Sequence, residues 1–247
     1  MKTFSLLHID SQLYRQNEFV HHYFDAQLSA RYDSNFLAFK QLPNLTQYQL
    51  YELYLTSFHS LHGMKHIKFI WPENEELSEV VSSYLTSKKY TITKLYLYTM
   101  NSTHYLPTST SVAKIQKVTD QTMTFYLHAQ QEESLRYDSI FAEQKTYLLR
   151  KLIRSPRHKI YTATVDSQLV GSITVHLNNR GIELDDFYVL DMFQRQGIGS
   201  ALLSAIVADF PNTYMMLVTD AADTAKEMYE KLGFVNDGFR IEFLKTF

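Results

Sequence analysis

The chain has no cysteine, and this single absence removes disulfides, thiolate nucleophiles and cysteine metal sites together. A nucleophilic or proton-transfer role must fall to other side chains. An excess of one charge is missing too: 26 acidic and 24 basic residues leave a formal net charge of −2, so nothing global draws the protein to nucleic acid or to an acidic membrane surface. No run approaches the ~18 apolar residues of a membrane span, and residues 1–10 lack the apolar core of a signal peptide. A cytoplasmic protein with neither nucleic-acid nor membrane partners is expected. Glycine is scarce and unevenly placed, since only Gly63 precedes Gly171. The two ends of the chain are therefore built for different jobs.

What is present is a globular composition, 45% hydrophobic and 20% charged over 247 residues, enough for one large domain or two ordinary ones. Apolar spacing predicts a helix over 11–31 (Leu13, Phe19, Val20, Tyr23, Phe24, Leu28), a strand over 36–39, and a helix over 46–61 with Leu50, Leu53, Tyr54 and Phe58 on one face. A strand over 67–71, a helix over 75–87 and a strand over 90–98 complete a small α+β unit. The polar segment 101–111 reads as a linker, which gives an N-terminal domain over 1–107 and a second over 108–247. The second shows strand 113–118, helices 121–137 and 140–153, a meander of strands 160–165, 169–177 and 182–189, then helix 200–210, strand 214–218, helix 222–232 and a closing strand region. That order predicts an α/β fold of the α+β type, with a mixed, mostly antiparallel central sheet flanked by helices. Laying Tyr90 on Phe234 aligns 67–98 with 215–243, an internal echo of a repeated half-fold.

The chain is organised around Gln194-Arg195-Gln196-Gly197-Ile198-Gly199, which ends the apolar strand 184–189 and opens a helix. Two glycines one residue apart let backbone N–H groups converge, and the helix adds its positive dipole end. Such a turn can cradle a phosphate. Alone it is a weak signal, and it lacks both the P-loop lysine and the third glycine of a dinucleotide fingerprint.

Its neighbours add specificity. The strand 184–189, the turn Gln194-x-x-Gly197-x-Gly199, the apolar helix Ala201-Leu202-Leu203 and the segment Tyr229-Glu230-Lys231-Leu232-Gly233-Phe234 together resemble the GNAT superfamily of acetyl-coenzyme A-dependent N-acetyltransferases. The resemblance spans roughly residues 113–247. It implies acetyl-CoA as cosubstrate, no metal, and a small-molecule or peptide amine as acceptor. It places the coenzyme pyrophosphate on the backbone of Arg195, Gln196, Gly197, Ile198, Gly199 and Ser200, with side-chain contacts from Gln194 and Arg195 and the pantetheine arm along main chain near Phe187 and Val189. Tyr229 stands where relatives keep a tyrosine that protonates the leaving thiolate. Glu183 stands where some carry a catalytic glutamate, and alternation puts Asp185 on the same face with Asp186 opposite. Either carboxylate, a water or no dedicated base remains open. Where many relatives have an asparagine touching the cofactor arm, this chain has Ala222, flanked by Asp220 and Asp223.

A second reading is a catalytically inactive acyl-CoA sensor or assembly module; a nucleotide-binding protein is a third. The 1–107 domain reads as a possible degenerate copy of the same fold. His59-x-x-His62-x-x-x-His66 has metal-ligand spacing, but Gly63 interrupts it and no carboxylate lies close by, so no metal is expected. The basic run Lys145, Arg150, Lys151, Arg154, Arg157, His158 and Lys159 reads as a solvated helix end or as an attractor for an anionic acceptor. Tyr48, Tyr51, Tyr54 and Phe58 read as core.

Overall fold

Short apolar runs rich in aromatic and β-branched residues, punctuated by Asn, Pro and Gly, set the strands of this protein, and longer segments, three of them opened by an Asn, Ser or Asp cap, set its helices. The computed structural model describes residues 3–106, 111–223 and 225–247. They fall into two compact units made of non-consecutive pieces. Residues up to 96, with 220–222 and 238–247, form the first; 97–219 and 223–237 form the second.

In the first unit the strands are β1 (Gln12–Gln16), β2 (Val20–Phe24), β3 (Phe36–Phe39) and β4 (His66–Ile70), and the helices are α1 (Leu45–Leu61) and α2 (Glu79–Ser87). Strand β5 (Thr91–Asn101) starts here, and most of the last strand, β11 (Val235–Thr246), ends here. The order is β1-β2-β3-β4-β11, with β3 and β4 parallel and the other pairs antiparallel. A hairpin replaces the helix expected over 11–31. Asn17 accepts from the amides of Phe19 (2.8 Å) and Val20 (2.9 Å) and closes the turn, while β2 pairs with β3. The apolar positions fit helical spacing numerically, but a run of aromatics and a turn-forming Asn favour sheet pairing.

Helix α1 begins with a capping box, Asn44 to Gln47. It buries Tyr48, Leu55 and His59, whereas Leu50 and Leu53, expected on the inner face, are 64% and 66% exposed. Tyr51 and Tyr54 pack against the core's margin. Leu37, Phe69, Trp71, Leu85 and Phe243 fill its centre. Lys68 sits between Asp33 and Glu242 (2.5 Å), and Arg240 holds Glu242 from the other side (2.6 Å). Burial alone would lower the Lys68 pKa; the two carboxylates reverse this and raise it.

The second unit holds β6 (Lys114–Lys117), α3 (Met123–Leu135), α4 (Ser139–Ile153), β7 (His158–Val165), β8 (Gln168–Asn178), β9 (Gly181–Val189), α5 (Ile198–Asp209), β10 (Tyr214–Asp220) and α6 (Ala225–Lys231). Its strands run β10-β9-β8-β7-β6, antiparallel except for the parallel pair β9 and β10. The expected mixed, mostly antiparallel sheet is present. Tyr161 reaches Asp209 on α5, so odd-numbered β7 residues face α5 and their neighbours His158, Ile160 and Thr162 face the other side. Residues 101–106, read as linker, are hydrogen-bonded into this unit: Ser102 N donates to Thr213 O (2.8 Å), Ser102 Oγ to Phe210 O (2.9 Å) and Tyr105 to Ser200 O (2.9 Å). The break expected between 107 and 108 lies outside the described residues. Among those described, no helix is long and apolar enough to cross a membrane.

Of the histidines with metal-ligand spacing, His62 is exposed and its Nδ1 meets the Phe58 carbonyl (2.8 Å), while His59 and His66, together with His22, are bonded within the core. His59 Nδ1 bonds the His66 carbonyl, His66 Nε2 approaches Asn35 O (3.3 Å), and His22 Nδ1 meets the Tyr54 hydroxyl (2.9 Å). All three rings are buried. Burial, then mutual repulsion with His59, depresses His22 and His66 from 6.5 to about 4, and burial likewise depresses His59. Unfolding restores the ordinary value, so between those pH values the unfolded chain binds protons that the folded unit refuses. Stability from these groups is full above 6.5 and is lost as pH falls towards 4. Trp71, the chain's single tryptophan, lies in this core and reports its unfolding. Denaturant titrations followed by its fluorescence should show a midpoint that is flat above neutrality and falls steadily through this window. A midpoint equal on both sides of the window would mean the imidazoles are not held neutral by the fold.

Candidate active site

Strand β9 pairs with β10 through Ile182, Glu183 and Leu184, opposite Met215, Met216 and Leu217, and the register of that pair stops there. On the other edge its pairing with β8 slips between Thr174↔Asp185 and Ser172↔Tyr188, so that Asp186 and Phe187 together oppose Ile173. Asp186 has φ +45°. This is a β-bulge, which bends the strand and increases its twist. Past Leu184 the strand is therefore free to leave β10 and open a notch between two parallel neighbours.

The bulge also resets the side-chain alternation. Asp185 and Tyr188 come to one face, where Tyr188 accepts from Gln130 of α3 (2.8 Å), and Lys145 of α4 pairs with Asp186 (3.3 Å). Phe187 goes to the other face, against α5. A Cβ on Gly199 would stand 3.2 Å from the Phe187 ring, and this explains the second glycine of the turn.

Between strand and helix, Asp191–Phe193 forms a single helical turn and Gln194 folds back, its Nε2 donating to Val189 O (3.1 Å) and Asp191 Oδ1 (2.9 Å). Gln196 Nε2 donates to Met192 O (3.0 Å). Arg195 (φ +62°) and Gly197 (φ +76°) are left-handed, a conformation that aims successive amides at one point. Gly197 is the N-cap of α5 and no side chain caps the helix, whereas α1, α2 and α4 are each closed by an Asn, Ser or Asp side chain. The first-turn amides of any helix have no intrahelical acceptor. At α5 the N-cap makes no side-chain cap bond among the described residues, so Ile198 and Gly199 open a helix end suited to an anion. Residues 195–200 thus stand together at the start of α5, while Gln194 braces the loop from within and donates to the Val189 carbonyl.

On the α3/α4 side of the sheet, β7, β8 and β9 present His158, His176, Glu183 and Asp185 on one face. His176 lies directly opposite both His158 and Glu183. His176 Nε2 is 3.2 Å from Asp185 Oδ2, and its Nδ1 is 2.7 Å from His158 Nδ1. Glu183 is 8% exposed, His176 4%, and the Asp185 side chain 56%. His176 escaped the sequence reading. The signal that could have found it was its alternation in β8 opposite the acidic face of β9. The basic run divides: Lys145 pairs with Asp186, His158 turns to His176 and Lys159 lies over the Phe210 ring (4.7 Å), while Arg150 and Lys151 in the last turn of α4, and Arg154 and Arg157 beyond it, are exposed.

Tyr229, on α6, is buried, its ring 6.3 Å from Tyr98 and 5.8 Å from Phe234. Burial, then the charge of Asp223, pushes its phenol up to about 12. Tyr98 donates to Glu230 (2.8 Å) and steadies the same helix. Gly233 closes it with φ +100°, where a Cβ would strike the His104 carbonyl. Ala222, in the asparagine's place, donates its amide to Asp220 Oδ1 (2.8 Å).

Comparison with known proteins matches residues 116–244 to the acetyltransferase (GNAT) domain and residues 2–98 to a domain of unknown function, DUF5613. No curated protein matches the sequence. Among solved structures, a functionally unknown conserved protein from Staphylococcus epidermidis superposes with a TM-score of 0.90 at 26% identity, covering 99% of this chain and 98% of that one. A GCN5-related N-acetyltransferase from Kribbella flavida gives 0.57 at 12% identity, covering 85% and 81%. A tandem GNAT protein from the clavulanic acid biosynthesis pathway gives 0.52 at 10% identity, covering 85% and 75%; these last two likenesses concern the fold. The acetyltransferase model spans more than half of the sequence, and the chain belongs to the GNAT acetyltransferase family.

Proposed function

We propose that the protein transfers an acetyl group from acetyl-CoA to a primary amine. The observation that supports this most is the pairing of a notch between parallel strands with an uncapped, glycine-opened helix at its mouth. The notch suits an extended pantetheine arm, which can hydrogen-bond to main chain near Phe187. The helix end suits the pyrophosphate, on the amides of residues 195–200. With the Val189 carbonyl occupied by Gln194, the strand's share of the arm falls mainly to Phe187.

In the reaction the amine gives a proton to a carboxylate of β9, its lone pair forms the new C–N bond, and the C–S bond breaks with its electron pair on sulfur. Asp185, more than half exposed, is the better placed of the two candidates; the buried Glu183 shares its face. Tyr229 is the donor to sulfur. A phenol near 12 stays protonated at neutral pH, while an ordinary thiol titrates at about 8.5. Complete proton transfer from phenol to thiolate therefore runs uphill, and the role that fits is a hydrogen bond strengthening as charge builds on sulfur. The first unit fits a degenerate copy of the same half-fold: its β3-α1-β4-α2-β5 repeats the order of β9-α5-β10-α6-β11, and in both the first two strands are parallel. The tandem protein among the solved structures is a precedent for that arrangement.

An inactive acyl-CoA sensor is the competing reading, favoured by Ala222, which offers no carboxamide to the arm. Calorimetry with acetyl-CoA followed by thiol release across a panel of amines separates the two. Binding with release supports transfer; binding without release on any amine supports the sensor; no binding sinks both. Tyr229→Phe should lower kcat by about 10- to 100-fold, the worth of one hydrogen bond to a developing charge, with acetyl-CoA affinity unchanged. An unchanged kcat removes Tyr229 from the mechanism. Gly199→Val, which drives a side chain into Phe187, and Gly197→Val, strained at φ +76°, should each weaken acetyl-CoA binding by about tenfold or more. Wild-type affinity in both would move the pyrophosphate elsewhere.

A further inference from the structure

We infer that His176 is a positioning residue for the Asp185 carboxylate and that His158 fixes His176 in the required orientation; this rests on the transfer reading above. An ionised carboxylate only accepts hydrogen bonds, so the His176 nitrogen facing it, Nε2 at 3.2 Å, bears a proton. The other nitrogen faces His158 Nδ1 at 2.7 Å, and only one of those two atoms can hold the proton between them. A neutral His176 protonated on Nε2 has a bare Nδ1, which accepts from His158; a protonated His176 donates there instead. Both arrangements aim Nε2–H at Asp185.

The surroundings make this orientation durable. His176 is 4% exposed and lies across the strand from both His158 and Glu183, so the ring is locked by sheet register. Asp185 follows Leu184, the last residue registered against β10, and pairs with Thr174 of β8 immediately before the bulge. An aspartate side chain that is more than half exposed has several staggered rotamers to choose among. A buried imidazole tied to one oxygen narrows that choice and leaves the carboxylate's exposed portion to meet an amine. Buried partners that orient an outer functional group in this way are commonly as sensitive to substitution as the group itself.

The test uses the full chain, acetyl-CoA and the best amine found in the panel. His176→Leu should lower kcat by about 10- to 100-fold while the KM for acetyl-CoA stays constant. His176→Gln, whose Nε2 donor can occupy the imidazole's place, should recover most of it, and His176→Leu should cost little more in an Asp185→Asn background. His176→Leu at parental kcat, no recovery with Gln, or full additivity with Asp185→Asn would each overturn the inference. Long-range 1H–15N spectra of the histidines read the contact without turnover: the His176 Nε2 resonance should shift in Asp185→Asn, a surface change that leaves the fold intact. No shift overturns the contact itself. A parent that releases no thiol from any amine, with that shift present, sinks the transfer reading and leaves only the contact, so the two failures are distinguishable.

Discussion

The register of β9 against β10 ends at Leu184 and Leu217, and most of the second unit's character follows from that stop. Two parallel strands that stayed paired would satisfy each other's backbone and leave no entry for a ligand. The extra residue at Asp186 and Phe187 bends β9 away while keeping it tied to β8 on its other edge. The same residue exchanges which side chains face which helix. Phe187 is sent to α5, where it leaves little room for a side chain at position 199; Asp185 and Tyr188 stay with α3 and α4. One inserted residue thus shapes the notch, the helix end beyond it and the polar face beneath it.

That polar face is ordered from inside the sheet. His158, His176 and Asp185 sit on successive strands, and hydrogen bonds link each to the next across the strands. Burying imidazoles costs free energy unless their nitrogens find partners, and here each ring's Nδ1 faces the other. The first unit buries histidines as well, but there the partners are largely backbone carbonyls and a tyrosine hydroxyl. Partners of that kind fix a fold. In the second unit the chain of side chains ends on a carboxylate that is more than half exposed, the feature on which the proposed transfer reaction draws.

The fold of the second unit was legible because its signals are local. The meander's turns, the caps of the helices and the glycine turn are read within a few residues, and Gly197 announced a left-handed backbone that favours glycine. The first unit was harder. Residues 11–31 satisfied helical spacing, yet Asn17 and sheet pairing with β3 made a hairpin. On α1 the buried stripe is Tyr48, Leu55 and His59, because the sheet beneath, and not the density of leucines, decides which face turns inward. Alternation predicted Glu183 and Asp185 on one face and was right up to the bulge. His176 could not be found from its own segment, since its meaning lies in cross-strand register.

The two parallel pairs, β3 with β4 and β9 with β10, show how a shared half-fold can keep its frame and differ in binding. In each, the helix that joins the strands begins at the mouth between them. At α1 the entry is Pro43-Asn44, and the Asn44 side chain takes the Gln47 amide while Gln47 reaches back to the Asn44 amide (2.9 Å each). Those donors are consumed by the chain itself, and a phosphate arriving there would have to displace a well-made cap whose replacement by alanine typically costs ~1 kcal/mol. At α5 the entry is Gly197, which has no side chain to offer, and a left-handed Arg195 two residues earlier. No capping side chain takes the donors there. Under the degenerate-copy proposal, loss of phosphate binding in the first unit needs no rearrangement of strands or helices; a capping box in place of a glycine turn is sufficient, because it satisfies with the chain's own side chains the first-turn amides that no side chain caps at α5.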